Sequence, residues 1–307
     1  MKGLTAFSVF LVGLGSVGSS YSASFSGIVV YGDSLSDNGN VFSASSRLGM
    51  PTPPSPPYFE GRFSNGPVAV ESVASFFGVP LQDFAFGGAT TGLGDYGDGG
   101  TVASMNLLPG ITSQFAGSKN QITPIASSSL FIVWGGPDDL LAPTPGQTNP
   151  VEIAHTGAAN ILNVVNGLEA LGAKQILVPG VPDLGLVPDY ASNMVAARAF
   201  ATTFNSDLIA GLPKNATYVD SYSLLDQLVA NPSAFGFSNV TTPCLSSSGI
   251  CANPNQYLFW DGQHPTEAGQ LLIAQALEAA AVPEPGTAWL GLSALGVVAL
   301  IRRRLAA

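Results

Sequence analysis

Apolar residues along this chain gather into two kinds of run. Ile28-Val29-Val30, Leu130-Phe131-Ile132-Val133-Trp134, Gln175 to Val178 and Ala216 to Val219 are short and rich in β-branched residues, and they read as strands. The second is apolar without interruption, as in strands buried on both faces. Longer stretches with helical spacing, Val68 to Phe77, Pro150 to Leu171, Met194 to Leu212 and Glu267 to Ala281, read as helices, with Gly172 placed to end the second. Pro80 to Phe86 reads as a further short strand running into Gly87-Gly88-Ala89-Thr90-Thr91. Strands alternate with helices, which predicts an α/β chain with a parallel sheet covered on both faces. No internal repeat or interior linker breaks the alternation, so the pattern predicts one domain.

The intervening segments are loops. Pro51 to Pro57 is too proline-rich for helix or central strand, and Gly61-Arg62-Phe63-Ser64-Asn65-Gly66-Pro67 continues it. Gly92 to Gly100 is rich in glycine, which fits either a mobile loop near a site or a plain surface loop. Gly92-Leu93-Gly94-Asp95-Tyr96-Gly97 and Gly13-Leu14-Gly15-Ser16-Val17-Gly18 both have the spacing of a dinucleotide fingerprint. Neither has the context: the first carries Asp95 where a pyrophosphate would sit, and the second lies in an N-terminal export signal.

That signal is Met1 to about Ser22: Lys2, an apolar stretch from Leu4 to Val17, then the small residues Ser20 and Ser22. At the other end come Val282-Pro283-Glu284-Pro285, an uncharged stretch from Gly286 to Ile301, and Arg302-Arg303-Arg304. The uncharged stretch is slightly short of the ~20 residues that span a bilayer comfortably, but a basic cluster just beyond it suits a cytoplasmic stop. This arrangement resembles the PEP-CTERM sorting signal of Gram-negative bacteria. The resemblance implies an exported protein of the periplasm, outer surface or extracellular matrix, sorted by exosortase-type machinery that cuts at Pro-Glu-Pro.

Four of the 10 basic residues, Lys2 and the three terminal arginines, fall in these two end segments, against 20 acidic residues in all. The mature protein is therefore strongly acidic, which argues against nucleic acid as a partner. The two cysteines, Cys244 and Cys251, lie in a Ser/Gly-rich loop of an exported chain, where a local disulfide is expected.

The candidate chemistry centres on Tyr31-Gly32-Asp33-Ser34-Leu35-Ser36-Asp37, directly after the Ile28-Val29-Val30 strand. A strand that stops and turns there would present Ser34 at the end of a sheet, where a nucleophile belongs. A serine hydroxyl becomes a good nucleophile only when a base takes its proton, and an imidazole base needs a group to orient it. The chain has two histidines, His155 and His264. His155 sits inside a predicted helix and reads as a surface or half-buried residue. His264 lies in Asp261-Gly262-Gln263-His264-Pro265, with a carboxylate three positions before it. Asp33 and Asp37 are expected to hold the turn by side-chain to backbone bonds.

These blocks resemble the GDSL esterases and lipases of the SGNH hydrolase superfamily, whose first block is Gly-Asp-Ser-Leu and whose last is Asp-x-x-His-Pro. Gly61-Arg62-Phe63-Ser64-Asn65-Gly66 also resembles a recurring segment of that family. The resemblance spans about Gly27 to Ala281. It implies a three-layer α/β/α sandwich, flavodoxin-like, around a parallel sheet of about five strands, with residues 23–281 as the hydrolase domain and 282–307 as the sorting tail with a transmembrane segment. It implies a serine ester hydrolase with no cofactor or metal, in which Ser34 attacks, His264 is the base and Asp261 orients it. The oxyanion donors would be the Ser34 N–H, the Gly88 N–H and the side chain of residue 138.

Position 138 departs from the family, which carries asparagine there, whereas Gly136-Pro137-Asp138-Asp139 puts a carboxyl group in its place. An ionised carboxylate has no hydrogen to donate. Asp138 either donates as a neutral acid, leaves the work to two backbone donors, or impairs the site. The first predicts a working esterase with an acid-shifted profile relative to an Asp138→Asn variant. Two rivals stay open: an acyltransferase using the same acyl-enzyme, and a non-catalytic surface or matrix binding protein. The acyl chain and the alcohol of the substrate are not legible.

Overall fold

A computed structural model of the chain describes residues 25–96, 108–143 and 146–282. The export signal, the sorting tail beyond Val282 and the second half of the Gly92 to Gly100 loop lie outside the described residues.

Five strands, β1 (Gly27–Gly32), β2 (Leu81–Asp83), β3 (Ser129–Trp134), β4 (Gln175–Pro179) and β5 (Ala216–Val219), form one sheet in the order β2-β1-β3-β4-β5. Every pairing is parallel. The run read as Pro80 to Phe86 narrows to a three-residue strand, yet pairing continues past it, because Phe84 N–H donates to Val30 O and Phe86 N–H to Gly32 O. Side chains alternate faces along each strand. Val29, Tyr31, Phe131, Val133, Ile176 and Val178 enter one core with residues of helices α3 (Ile111–Ile122), α5 (Pro150–Ala170) and α6 (Met194–Gly211). Ile28, Val30, Leu130, Ile132, Trp134 and Leu177 enter a second core with α2 (Ala69–Phe77) and α8 (Glu267–Ala281). The result is the expected three-layer α/β/α sandwich.

The four predicted helices are found close to their expected segments, but the short α1 (Asn40–Ser46), α3 and α7 (Ser221–Ala230) carry no equally clear signal. The buried face of α3 is Ile111, Gln114, Phe115, Ser118 and Ile122, so two polar residues interrupt its apolar stripe. Both are there for β1. Gln114 accepts from Gly32 N–H at 3.0 Å and donates to Gly32 O at 2.8 Å, and the Ser118 hydroxyl lies 2.7 Å from that of Tyr31. No helix among the described residues is long and apolar enough to cross a membrane.

The chain leaves β1 for β2 on one side and returns to β3 on the other, so the strand order reverses between β1 and β3. A crevice opens at the carboxyl ends of strands at such a point. Gly32 and Trp134 are register partners, so the turns carrying Ser34 and Asp138 leave the sheet side by side.

Candidate active site

The turn after β1 is built to expose Ser34. Gly32 is the last residue of the strand, and a Cβ there would lie 2.7 Å from Trp134 O. Asp33 then caps a tight helical turn: its carbonyl accepts from Ser36 and Asp37 N–H, and its Oδ1 accepts from Leu35 N–H at 3.0 Å. Asp37 accepts from Gly39, Asn40 and Val41 N–H, and its Oδ2 reaches across to Gly87 N–H at 2.8 Å. Both aspartates therefore tie side chain to backbone in the turn, as their spacing suggested.

Asp261 and His264 come from a loop between Trp260 and α8. The Asp261 carboxylate accepts from Gln263 N–H (2.9 Å) and His264 N–H (2.8 Å), which folds the loop back so that His264 Nδ1 lies 2.8 Å from both carboxylate oxygens. His264 Nε2 lies 2.8 Å from Ser34 Oγ. Burial alone would raise the pKa of Asp261, but the charge and hydrogen bond of His264, the Gln263 N–H and the Tyr58 hydroxyl outweigh it and hold the group below the usual carboxylate range.

Sequence reasoning did not find Tyr58, whose hydroxyl donates to Asp261 Oδ2 at 2.7 Å. It follows the proline-rich loop, and nothing in that loop signals a partner 203 residues away. The Gly61 to Pro67 segment gains a role as well. The Phe63 ring packs 5.1 Å from the His264 ring, Ser64 Oγ donates to Pro265 O at 2.9 Å, and Asn65 Oδ1 accepts from Glu267 N–H at 2.9 Å. Together these brace the histidine loop. A third brace is the Cys244–Cys251 disulfide, which closes a small hairpin, β6 (Leu245–Ser246) and β7 (Gly249–Ile250). Cys244 N–H donates to Phe259 O and Leu245 N–H to Trp260 O, directly before Asp261.

Gly87 and Gly88 behave differently. The Gly87 N–H is taken by Asp37, and a Cβ there would run into the Phe63 ring. Gly88 has φ +86°, which favours glycine, and neither its N–H nor that of Ser34 finds an acceptor among the described residues. Both donors are free to meet a ligand.

Asp138 and Asp139 open the short helix α4 (Pro137–Leu141) after β3 and are both nearly buried. Asp139 is structural in its contacts, accepting from Thr91 N–H at 3.0 Å and Thr91 Oγ1 at 2.7 Å. Burial still pushes its carboxyl up to about 6. Asp138 has no such compensation. Burial first, then the neighbouring charges of Asp33, Asp139 and Asp95, raise it well above the ordinary value. Asp33 is raised too, chiefly by burial, and its Oδ2 has no hydrogen-bond partner among the described residues.

Ser34, Asp138 and His264 line one cavity, which Gly88 does not reach. Tyr190 also lines it, with a buried hydroxyl that lacks a partner among the described residues. His155 is elsewhere, on α5, half exposed and paired with Asp207 of α6 at 2.5 Å.

A family model described as GDSL-like lipase/acylhydrolase matches residues 28–277, and a second, the PEP-CTERM protein-sorting motif, matches residues 281–304. Among curated relatives, a phosphatidylcholine-sterol acyltransferase of Aeromonas hydrophila is 32% identical over 74% of this chain and 67% of its own length. A GDSL esterase/lipase of Arabidopsis thaliana is 26% identical over 82% of each chain, and the thermolabile hemolysin of Vibrio parahaemolyticus is 27% identical over 81% of this chain and 62% of its own. Among solved structures, a lipase from a goat rumen metagenome shares the fold with a TM-score of 0.50 at 14% identity, covering 83% of this chain and 96% of that one.

Proposed function

The chain belongs to the GDSL-like lipase/acylhydrolase family, and from that premise we propose that it is an exported serine ester hydrolase whose acyl-enzyme forms on Ser34. One observation carries the reading. Ser34 Oγ, His264 Nε2, His264 Nδ1 and the Asp261 carboxylate form an unbroken chain of hydrogen-bond contacts, each 2.8 Å long, at the carboxyl edge of the sheet.

Ser34 Oγ attacks the ester carbonyl carbon while its proton passes to His264 Nε2. Asp261 keeps Nδ1 protonated and stabilises the imidazolium. The tetrahedral intermediate collapses, the C–O bond to the alcohol breaks, and His264 returns the proton to the departing oxygen. Water then attacks the acyl carbon, its proton goes to His264, and collapse releases the acid and restores Ser34.

The intermediate carries a negative oxygen, and three donors face that need: the unpaired N–H groups of Ser34 and Gly88, and Asp138. A carboxyl held neutral by burial and by neighbouring carboxylates has an O–H to give, so Asp138 does as a protonated acid what an amide does elsewhere in the family. Residues 1–22 act as the export signal and the tail from 282 as the exosortase-type sorting segment, with 23–281 as the hydrolase domain. The sorting-motif match at 281–304 supports that reading.

Full-chain protein assayed on p-nitrophenyl esters of several chain lengths, beside Ser34→Ala, tests the proposal. Turnover present in the wild type and lost in Ser34→Ala is expected, and equal rates from two folded proteins would remove the serine from the mechanism. The likeness to the Aeromonas acyltransferase supports a second reading, in which an alcohol replaces water in the last step. Product analysis with added alcohol acceptors separates the two.

A further inference from the structure

One buried polar group in the catalytic cavity has no part in the acyl transfer. Tyr190 lies on the short 3₁₀ helix Pro188–Asn193, beyond β4, and lines the cavity shared by Ser34, Asp138 and His264. It is 8% exposed, and its hydroxyl has no hydrogen-bond partner among the described residues. Burial raises the pKa of that hydroxyl, and the charges of Asp138, Asp33 and Asp189 raise it further, so it keeps its proton in the neutral range. A buried hydroxyl left unpaired is costly, and native proteins leave few of them without a role. An oxygen atom of a bound substrate would satisfy it.

Two relations indicate which oxygen. Ser34, Asp138 and Tyr190 follow β1, β3 and β4, which are neighbours in that order, so the three segments leave the carboxyl edge as a row. The carbonyl oxygen already has its donors in Ser34, Gly88 and Asp138. The Tyr190 segment is also bound to the histidine loop: Asp189 N–H donates to Gly262 O at 3.0 Å, and a Cβ on Gly262 would run into the Asp189 carboxylate. His264 hands its proton to the departing alcohol oxygen, so the alcohol lies on the side that Tyr190 shares with that loop. Tyr190 also lines a second cleft with Asp189, Asn193, Thr148 and Gln147, whose Oε1 is likewise buried and unpaired among the described residues. No Lys or Arg among the described residues lines either space, which suits an uncharged alcohol.

Resting on the serine hydrolase reading above, we propose that Tyr190 selects the alcohol. Its hydroxyl hydrogen-bonds an oxygen that the alcohol carries beside the scissile ester, so the protein favours esters of uncharged polyols over esters of simple alkanols.

Full-chain wild type, Tyr190→Phe and Ser34→Ala are assayed on hydroxyethyl butyrate and propyl butyrate, which share the acyl group and differ in the alcohol by hydroxyl against methyl. Wild type is expected to show the higher kcat/KM on the hydroxyethyl ester. Tyr190→Phe should lower the hydroxyethyl-to-propyl ratio roughly fivefold to tenfold, with kcat/KM on propyl butyrate near that of wild type. Urea unfolding gives a readout that a structural role would move the other way: the hydroxyl has no partner in the free protein, so Tyr190→Phe should unfold at the same urea midpoint or a higher one. Wild type that prefers propyl butyrate, a ratio unmoved by the substitution, an equal fall on both esters, or a lowered midpoint overturns the assignment to Tyr190 and leaves the esterase standing. So does turnover of p-nitrophenyl butyrate with none of hydroxyethyl butyrate. No turnover of any of the three esters above Ser34→Ala, from folded protein, overturns the hydrolase reading itself.

Discussion

Replacing Asp138 by asparagine and by alanine distinguishes a donated proton from a residue that merely occupies the site. Asp138 is 8% exposed, and burial, reinforced by Asp33, Asp139 and Asp95, raises its pKa well above 3.8. A group so placed stays neutral to higher pH than an ordinary carboxyl, and while neutral it keeps an O–H for the oxyanion. One oxyanion donor is worth about 10²- to 10³-fold in kcat, roughly 3 kcal/mol. Asp138→Ala should therefore lose that factor at mildly acidic pH, while Asp138→Asn, with an amide N–H, keeps its rate there.

As pH rises through the Asp138 pKa the wild-type donor ionises. The wild-type rate then falls by up to about tenfold per pH unit, and the asparagine variant is spared. Stability follows the same group. The folded state holds this proton more tightly than the unfolded chain, so the raised pKa makes the wild type lose stability as pH rises from the unfolded value toward the folded one. One proton gives a limiting slope of about 1.4 kcal/mol per pH unit, and the asparagine variant lacks that share. The assay is kcat at saturating short-chain ester across pH, with urea unfolding at each pH on the same proteins. Superimposable kcat profiles for wild type and Asp138→Asn, or full kcat in Asp138→Ala, would refute the reasoning.

Other changes probe the supports of the site. Ser34→Ala should reduce kcat by ~10⁴-fold or more with an unchanged circular dichroism spectrum, because among the described residues the hydroxyl's hydrogen bond is to His264 alone. Tyr58→Phe removes a charge-assisted bond to Asp261 typically worth about 1.5–3 kcal/mol. The Asp261 pKa is depressed in the fold, so its contribution is present above the unfolded value and lost as pH falls, and the variant should show a smaller acid-side loss of stability in pH-dependent unfolding. Gln114→Leu strips the buried Gly32 N–H and C=O of their partners and should lower stability by about 2 kcal/mol or more, with a fall in kcat because Ser34 is two residues on. A Cys244→Ala/Cys251→Ala protein should lose about 2 kcal/mol by loop entropy, read as a lower urea midpoint.

How much of this was legible follows from the range over which each signal acts. The alternation of β-branched runs with helical spacing is local, and it determined the sheet, the long helices and the layered class. The Ser34 turn and the Asp261 to His264 loop were legible for a related reason: each is a short block whose side chains bond to their own backbone, as Asp33 does to Leu35 and Asp261 to Gln263 and His264. Helix α3 was not, because Gln114 and Ser118 are polar in sequence and become core residues only once β1 supplies their partners. Tyr58 escaped for the same reason at greater distance.

Position 138 divides the two most sharply. Its departure from the family is plain in the sequence, which left three outcomes open. What favours one of them is that folding crowds Asp33, Asp139 and Asp95 around a carboxyl removed from water. The chain by itself pointed to the candidate groups, Ser34, Asp261 and His264. The raised pKa of Asp138, the braces on His264 and the gathering of Ser34, Asp138 and His264 around one cavity depend on burial and on contacts between residues far apart in the chain, and only the tertiary structure decides those.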